Sequence, residues 1–375
     1  MAANDRSIGE IRALTGIRGV AAMIVFLSHA RDTLASRGLH FAVPLPVERL
    51  FFMGGRQVDV FFVLSGFILT LIYQSWFRES VGAGPYREFL QRRFARIYPL
   101  HAAILLLVIA FVLAAEVGHA NVLHGTGRFT WSQLPAYFLL IHAWGPLGPE
   151  GGTWNPPSWS ISIEAFCYLV FPFLIYLIAT ANPRRYWTTL VCVAIAGFAA
   201  NSVLFWGQAG IPGLTRGLTE FLLGCATVQV FNTSLADWLR RDLGSLLAFA
   251  GLVVCYLLTP DTGFVIALCA APLLLSLSGS NIASRMFAWL PIYFLGEISY
   301  SVYLGHFLFS SVAYRFISVP WMKESSLHAL AGAAFIIAFV LACATATYYL
   351  IERPGRRLLR GKKPRPAVVT QVPVV

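Results

Sequence analysis

Apolar runs long enough to cross a bilayer recur along almost the whole chain, and they exclude most soluble folds. A transmembrane helix needs about 20 consecutive, mainly apolar residues. Only 12% of the 375 residues are charged, against about 25% in a typical soluble domain. We therefore predict an all-α polytopic membrane protein with about ten transmembrane helices, at 12–32, 57–75, 97–115, 159–180, 187–206, 213–231, 245–258, 262–278, 290–316 and 328–351.

The distribution of Lys and Arg predicts the orientation of these crossings. With the N-terminus in the cytoplasm, 19 of the 28 Lys and Arg residues fall on the cytoplasmic side, as the positive-inside bias requires. Segment 134–144 has 11 residues, which is too short for a crossing of about 20. If it did cross, the basic tail would face outward. We predict a re-entrant or interfacial segment at 134–144 and cytoplasmic N- and C-termini.

The net charge of +11 follows from the same topology. In a soluble protein it would suggest nucleic-acid binding, but here most cations lie between apolar runs, so we expect no nucleic-acid partner. The six cysteines lie within apolar runs and form no CxxC motif. We expect them to be small buried hydrophobic residues, and we expect no metal cofactor.

The first crossing carries two ionisable residues, Arg18 and His29. They are 11 residues apart, which is within about 20° of three full helical turns, so they share one helix face about 16 Å apart. Ionisable residues at membrane depth are expensive and by default indicate function. The alternative is that Arg18 pairs with a structural carboxylate and that His29 reaches the outer headgroups. Asp32, three residues after His29, is placed to orient the imidazole ring.

Other polar residues lie at a similar predicted depth. Asp59 begins the second crossing and Glu164 lies within two turns of the outer end of the fourth. For Asp59, an equally good interpretation is that it caps its helix. Tyr303 and His306 lie three residues apart in the ninth crossing and are predicted to line a cavity. We predict that His29, Asp59 and Glu164 converge on one outer level, with His306 nearby.

The segment REFLQRRFARIYPLH, 87–101, enters the third crossing from the predicted cytoplasmic side. Its arginines are accounted for by topology alone. A sharper hypothesis is a phosphate site, since Arg93 and Arg96 at i and i+3 are able to hold one anionic group.

Six sequence blocks together resemble the acyltransferase-3 family of integral membrane O-acyltransferases, from about Leu14 to Arg357. GIRGVAAMIVFLSH matches the family's Arg-x10-His signature. The others, in order, are VDVFFVLSGFIL, RRFARIYPL, WSISIEAFCYLVFP, SYSVYLGH and ERPGRR. Ala165 follows Glu164 where many members have a second acidic residue, so only Glu164 is carried over. The resemblance implies a ten-helix core within a transmembrane domain at 1–357, followed by a basic and then flexible cytoplasmic tail at 358–375.

The resemblance also implies an activity. Members of the family transfer acyl groups, usually acetyl from acetyl-CoA, to cell-surface carbohydrates, peptidoglycan or macrolides. Their Arg-x10-His pair is held to be catalytic, which here implicates Arg18 and His29 at a bacterial inner membrane. An imidazole suits a general base near neutral pH, and Asp59, Glu164 or Asp32 is placed to orient it.

Donor and acceptor residues follow from the same resemblance. Arg93 and Arg96, together with Arg18, are predicted to bind acyl-CoA through its phosphates. Tyr303, His306 and Asp32 are predicted to bind a carbohydrate, glycolipid or small-molecule acceptor such as a macrolide.

Three other interpretations compete. A transporter would also contain broken helices and intramembrane charges, although no pair of similar halves is visible. A second membrane acyltransferase class is marked by His-x4-Asp, and none of the eight histidines fits that spacing. The third is a non-catalytic partner in polysaccharide assembly.

Overall fold

The computed structural model describes residues 11–41, 43–52, 54–117, 129–145, 154–180, 211–258 and 263–360, with scattered positions between 189 and 199. Within these ranges every regular element is helical. In chain order the α-helices are α1 (Arg12–Ser36), α2 (Leu45–Phe52), α3 (Gln57–Phe77), α4 (Ala83–Val117), α5 (Leu134–Phe138), α6 (Ser158–Thr180), α7 (Ile211–Thr227), α8 (Ser234–Leu239), α9 (Asp242–Leu258), α10 (Gly263–Ser276), α11 (Ile282–Phe287), α12 (Leu290–Glu297), α13 (Ser299–Ala313), α14 (Val319–Lys323), α15 (Ser326–Thr347) and α16 (Arg353–Leu359).

Within the residues that the structure describes, five segments are long and apolar enough to cross a membrane, which is consistent with a multi-pass membrane protein. α15 continues through a π-helical turn into α16, so these three elements count as one segment. The five are Arg12–Ser36, Gly54–Phe77, Ala83–Ala115, Ser158–Leu177 and Ser326–Leu359.

The predicted crossings coincide with helices wherever the structure describes them. The ninth, 290–316, is broken at Ile298 into α12 and α13. The fifth, 187–206, lies outside the described residues apart from the scattered positions, and so does the tail beyond 360. The total of ten crossings and the cytoplasmic placement of both termini stay predictions.

The segment 134–144 is a five-residue helix, α5, followed by turns. A helix of this length spans only about 7.5 Å, so it is too short to cross a bilayer. The turns pack on α6, where the Ser162 hydroxyl donates to Leu140 O at 2.7 Å and accepts from Ala143 N at 3.1 Å. The 129–145 region therefore covers the start of α6.

α1 is held in the protein interior by close helix contacts. A Cβ at Gly16 would lie 1.8 Å from Phe287 O, and one at Gly19 would lie 2.4 Å from Gly296 N. Small residues of this kind let helix backbones approach each other closely in membranes. The contact at Gly19 presses α1 against α12 beside Arg18, whose guanidinium donates to Gly296 O at 3.3 Å.

α3 and α7 form a second close crossing at Gly66 and Gly224. A Cβ at Gly66 or Gly224 would lie 2.0 Å from a backbone oxygen of the facing helix. We expect Gly224→Leu to lower the thermal stability of the purified protein strongly, because the helices have to separate. Gly251 on α9 has open space at its Cβ position, so Gly251→Leu is the matched control. Melting temperatures are measured by fluorescence-detected size exclusion. Equal values for the two variants would contradict this packing.

Candidate active site

Two adjoining cavities lie along one side of α1. The larger, called the arginine cavity, has a volume of about 570 Å³ and reaches the N-terminal end of α1 at Ile11. The smaller, called the inner cavity, has a volume of about 130 Å³ and lies deeper among α1, α3, α4, α6 and α13. The two cavities share the lining residues Arg18, Ile68, Arg93 and Arg96.

The arginine cavity has a strongly positive lining. Among the residues that the structure describes, one acidic side chain, Glu297, lines it. The basic lining residues are Arg18, Arg92, Arg93, Arg96, Arg353, Arg356, Arg357 and Arg360. Eight cations against one carboxylate make the cavity suited to a polyanionic ligand.

Glu164 is held in place at the wall of the inner cavity. Its Oε1 accepts hydrogen bonds from Ser65 Oγ at 2.8 Å and from Tyr168 Oη at 2.6 Å. Farther along the cavity, Ser160 Oγ and Tyr303 Oη are 2.7 Å apart and hydrogen bonded. The inner cavity therefore presents one carboxylate, several hydroxyls and the three arginines that it shares with the arginine cavity, on an otherwise mostly apolar wall.

The two arginines predicted to bind phosphate differ in their partners. Arg93 donates to the hydroxyl of Tyr73 at 2.8 Å. Arg96 forms an ion pair with Glu352, a carboxylate that is only 1% exposed and also accepts from Ser301 Oγ at 2.9 Å. The charge of Arg96 is thus largely balanced within the protein.

His29 and His306 form a hydrogen-bonded pair. His29 Nδ1 lies 3.0 Å from His306 Nε2, and the two rings are stacked with centroids 5.1 Å apart. His306 is 1% exposed, and His29 is half-buried. The structure therefore brings together two residues that are 277 positions apart.

The partners of His306 determine which ring nitrogens carry protons. His306 Nδ1 lies 2.7 Å from the backbone oxygen of Tyr303, which can only accept, so Nδ1 carries the hydrogen. A second proton would leave a buried imidazolium without a carboxylate partner, which is unfavourable. His306 Nε2 is then an acceptor, and His29 Nδ1 donates to it. By this assignment, His29 Nε2 is the ring nitrogen of the two histidines that keeps an available lone pair.

We predicted that His29, Asp59 and Glu164 converge, with His306 nearby. The structure shows only the contact between His29 and His306. Glu164 lines the inner cavity with Arg18, Arg93 and Arg96, whereas His29 lies outside both cavity linings. Ser158, which begins α6, is 0% exposed, because the 129–145 region covers it. The helix start is therefore inside the protein, so the distance of Glu164 from that start does not place Glu164 near the protein surface.

Asp59 takes part in a different buried cluster. It forms an ion pair with Arg216 of α7, whose Nε lies 2.7 Å from Asp59 Oδ1. Glu220, one turn farther along α7, approaches the same guanidinium at 3.5 Å. Asp59 lines neither of the two cavities. These contacts fix α3 to α7.

Asp32 lies near the C-terminal end of α1 with its side chain 66% exposed and 3.9 Å from Arg31. We predicted that Asp32, Asp59 or Glu164 orients the His29 ring. In the structure, His306 makes this contact with His29 Nδ1. His306 was expected only as an acceptor-binding residue. One of the contacts described above had a usable sequence signal, the i, i+4 pair Arg216 and Glu220 within a predicted crossing.

The terminal arginines that line the arginine cavity also had a signal. Arg353, Arg356, Arg357 and Arg360 follow the spacing i, i+3, i+4 and i+7, which places them on one helix face. We used them only to predict the orientation of the chain and did not assign them to the site.

Comparison with known proteins identifies the class of protein to which this site belongs. The sequence profile of the family described as "Acyltransferase domain" matches residues 11–349, which is most of the chain. The chain belongs to this acyltransferase-3 family. Membership makes it an acyltransferase enzyme of the membrane, and the transporter and non-catalytic interpretations are set aside.

Its relatives are similar along most of the chain. Acyltransferase MdmB of Streptomyces mycarofaciens is 27% identical, over 95% of this chain and 94% of MdmB. Peptidoglycan O-acetyltransferase OatA of Listeria monocytogenes is 23% identical over 92% of this chain and 56% of OatA. O-acetyltransferase OatA of Staphylococcus aureus is 23% identical over 83% of this chain and 57% of OatA. The chain thus spans about half of the OatA proteins. No solved structure matches the chain significantly.

Proposed function

We propose that this acyltransferase moves an acyl group, preferably acetyl, from acyl-CoA to a hydroxyl of a cell-surface carbohydrate. The observation that carries the proposal is the His29–His306 hydrogen bond, which leaves a lone pair on His29 Nε2. The relatives named as O-acetyltransferases support the oxygen acceptor and the acetyl group.

Binding of the donor follows from the cavities. The phosphates of CoA are suited to the arginine cavity, where guanidinium groups form bidentate hydrogen bonds with phosphate oxygens. The pantetheine arm is narrow and uncharged, so we place it in the inner cavity, which adjoins the arginine cavity. Arg18 and Arg93 line both cavities and would contact the junction between nucleotide and arm.

Transfer needs one base and one leaving group. His29 Nε2 removes the proton of the acceptor hydroxyl, and the oxygen attacks the carbonyl carbon of the thioester. The carbon–sulfur bond breaks, and the imidazolium returns the proton to the thiolate, which gives the ester and free CoA. Tyr303 lines the inner cavity and His306 lies one turn farther along α13, so the acyl group passes Tyr303 to reach His29.

The acceptor is proposed from the relatives. Peptidoglycan is the acceptor in the printed name of the Listeria protein, which favours a carbohydrate on the outer face. The sequence resemblance leaves a small molecule such as a macrolide as the second acceptor class.

Arg93→Ala is expected to raise the KM for acetyl-CoA about 10- to 100-fold, since a hydrogen bond to a charged group is worth about 1.5–3 kcal/mol. The kcat should change much less, because Arg93 binds the donor in the ground and transition states alike. Arg87→Ala, an exposed arginine of the same helix that lines neither cavity, is the matched control. An unchanged KM in Arg93→Ala would remove this residue from the donor site.

The activity is tested with purified protein in nanodiscs, acetyl-CoA and candidate acceptors. The acceptors are soluble peptidoglycan fragments, an oligosaccharide and a macrolide. Mass spectrometry should detect one added acetyl group on a carbohydrate hydroxyl, together with one equivalent of free CoA. Acetylation of the macrolide alone would move the proposal to the second acceptor class, and turnover with no CoA released would refute the donor.

A further inference from the structure

We infer that α16 is the nucleotide-binding element for the donor, and that Arg353, Arg356, Arg357 and Arg360 hold the phosphate groups at the adenosine end of acyl-CoA. This inference rests on the proposed function and extends it to residues that we expected only to orient the chain.

The chain places this helix against the cavity by two local features. A π-helical turn, Tyr348–Glu352, immediately precedes α16. Such a turn adds one residue to the helical repeat and so rotates the following residues by about 100°. Gly355 then allows α16 to dock on α4, since a Cβ there would lie 2.5 Å from Cβ of Pro99. The arginine face of α16 consequently lines the same cavity as the arginines of α4.

The two arginine groups differ in how their charge is balanced. On α4, Arg92 pairs with Glu88 and Arg96 with Glu352. On α16, Arg356 approaches the already paired Glu352 at 3.7 Å.

The other three cations of α16 have still less compensation. Within the part of the chain that the structure describes, the side chains of Arg353, Arg357 and Arg360 form no ion pair with a carboxylate. Arg353 lies over the ring of Tyr349, with 5.8 Å between its guanidinium carbon and the ring centroid. Uncompensated guanidinium groups facing one cavity repel each other. An anion bound in the cavity attracts each of these groups and offsets their mutual repulsion.

The positive-inside bias accounts for basic residues on one side of the membrane. It does not require them to line a common cavity. The cavity volume of about 570 Å³ falls within the range of about 300–1,000 Å³ usual for small-molecule sites. Because Arg18, Arg93 and Arg96 also line the inner cavity, a nucleotide bound on α16 has its pantetheine arm directed toward Glu164.

Phosphate could also come from an anionic lipid headgroup, so the test separates the two sources. The dissociation constants of CoA, 3′-dephospho-CoA and pantetheine are measured on the full-length protein in nanodiscs of phosphatidylcholine, for the wild type and for Arg357→Ala/Arg360→Ala. Arg241→Ala/Arg285→Ala is the control, since both residues are exposed and line neither cavity. Binding of phosphatidylglycerol is measured in parallel.

We expect the α16 double variant to bind CoA at least tenfold more weakly, to bind pantetheine as the wild type does, and to lose most of its preference for CoA over 3′-dephospho-CoA. The control should match the wild type. Unchanged CoA affinity in the double variant would overturn the inference. If the double variant loses only phosphatidylglycerol binding, α16 binds a lipid headgroup instead of CoA. If wild-type protein does not bind CoA at all, the proposed donor itself fails.

Discussion

Replacing His29 by alanine is expected to lower kcat for acyl transfer about 10²- to 10⁴-fold, the usual contribution of a general base. By our assignment His29 Nε2 holds the free lone pair of the histidine pair, so the variant has no group that can accept the hydroxyl proton at this place. KM for acetyl-CoA should change little, because the arginine cavity does not include His29.

The measurement is steady-state kinetics with purified protein and acetyl-CoA, with His40→Ala as the control for an exposed histidine near the same end of α1. The melting temperature of His29→Ala should stay close to that of the wild type. A folded His29→Ala protein with wild-type kcat would exclude His29 as the base.

His306→Leu is expected to lower kcat about 100-fold or more while His29 remains in place. In serine proteases, loss of the group that fixes the tautomer of the catalytic histidine costs about 10⁴-fold. Without His306 Nε2 to accept its proton, His29 Nδ1 no longer holds the hydrogen, and both tautomers become populated. The effect should therefore appear in kcat with a small change in KM.

A conservative variant separates positioning from packing. His306→Gln keeps an acceptor oxygen within reach of His29 Nδ1 and should recover much of the activity that His306→Leu loses. Both variants remove the same buried ring, so their melting temperatures should be similar. Equal activity of His306→Leu and His306→Gln at equal stability would show that His306 has only a structural role.

Local spacing in the sequence predicted much of the fold. The long apolar runs predicted the helices because membrane burial depends on composition over about 20 residues. The same reasoning predicted that 134–144 is too short to cross, and its helix has only five residues. The break at Ile298 was not predicted, although Gly296, Glu297 and Ser299 lie beside it in the sequence.

Contacts between distant segments could not be predicted. The Arg18 and His29 spacing placed both residues on one face, but it carries no information about a partner 277 residues away. The pairing of Asp59 with Arg216 likewise joins positions 157 residues apart. A single charged residue in a crossing indicates that a partner exists, and only the fold shows which residue it is.

The depth of Glu164 shows a further limit. Its distance from the start of α6 predicted a position near the outer surface. Residues 129–145 cover this helix start, so it is not at the protein surface, and the covering depends on the contacts of Ser162 with Leu140 and Ala143. Depth in a membrane protein depends on where a helix starts as well as on position within the helix.

We propose that donor and acceptor meet from opposite ends of α1, with the arginine cavity at one end and His29 toward the other. Proteoliposomes with the protein in one orientation test it directly, with radiolabelled acetyl-CoA on the arginine-cavity side only and a membrane-impermeant carbohydrate acceptor on the His29 side only. We predict labelled ester on the acceptor, at a rate abolished by His29→Ala. Transfer of label only when donor and acceptor are on the same side would show that they do not meet from opposite ends of α1.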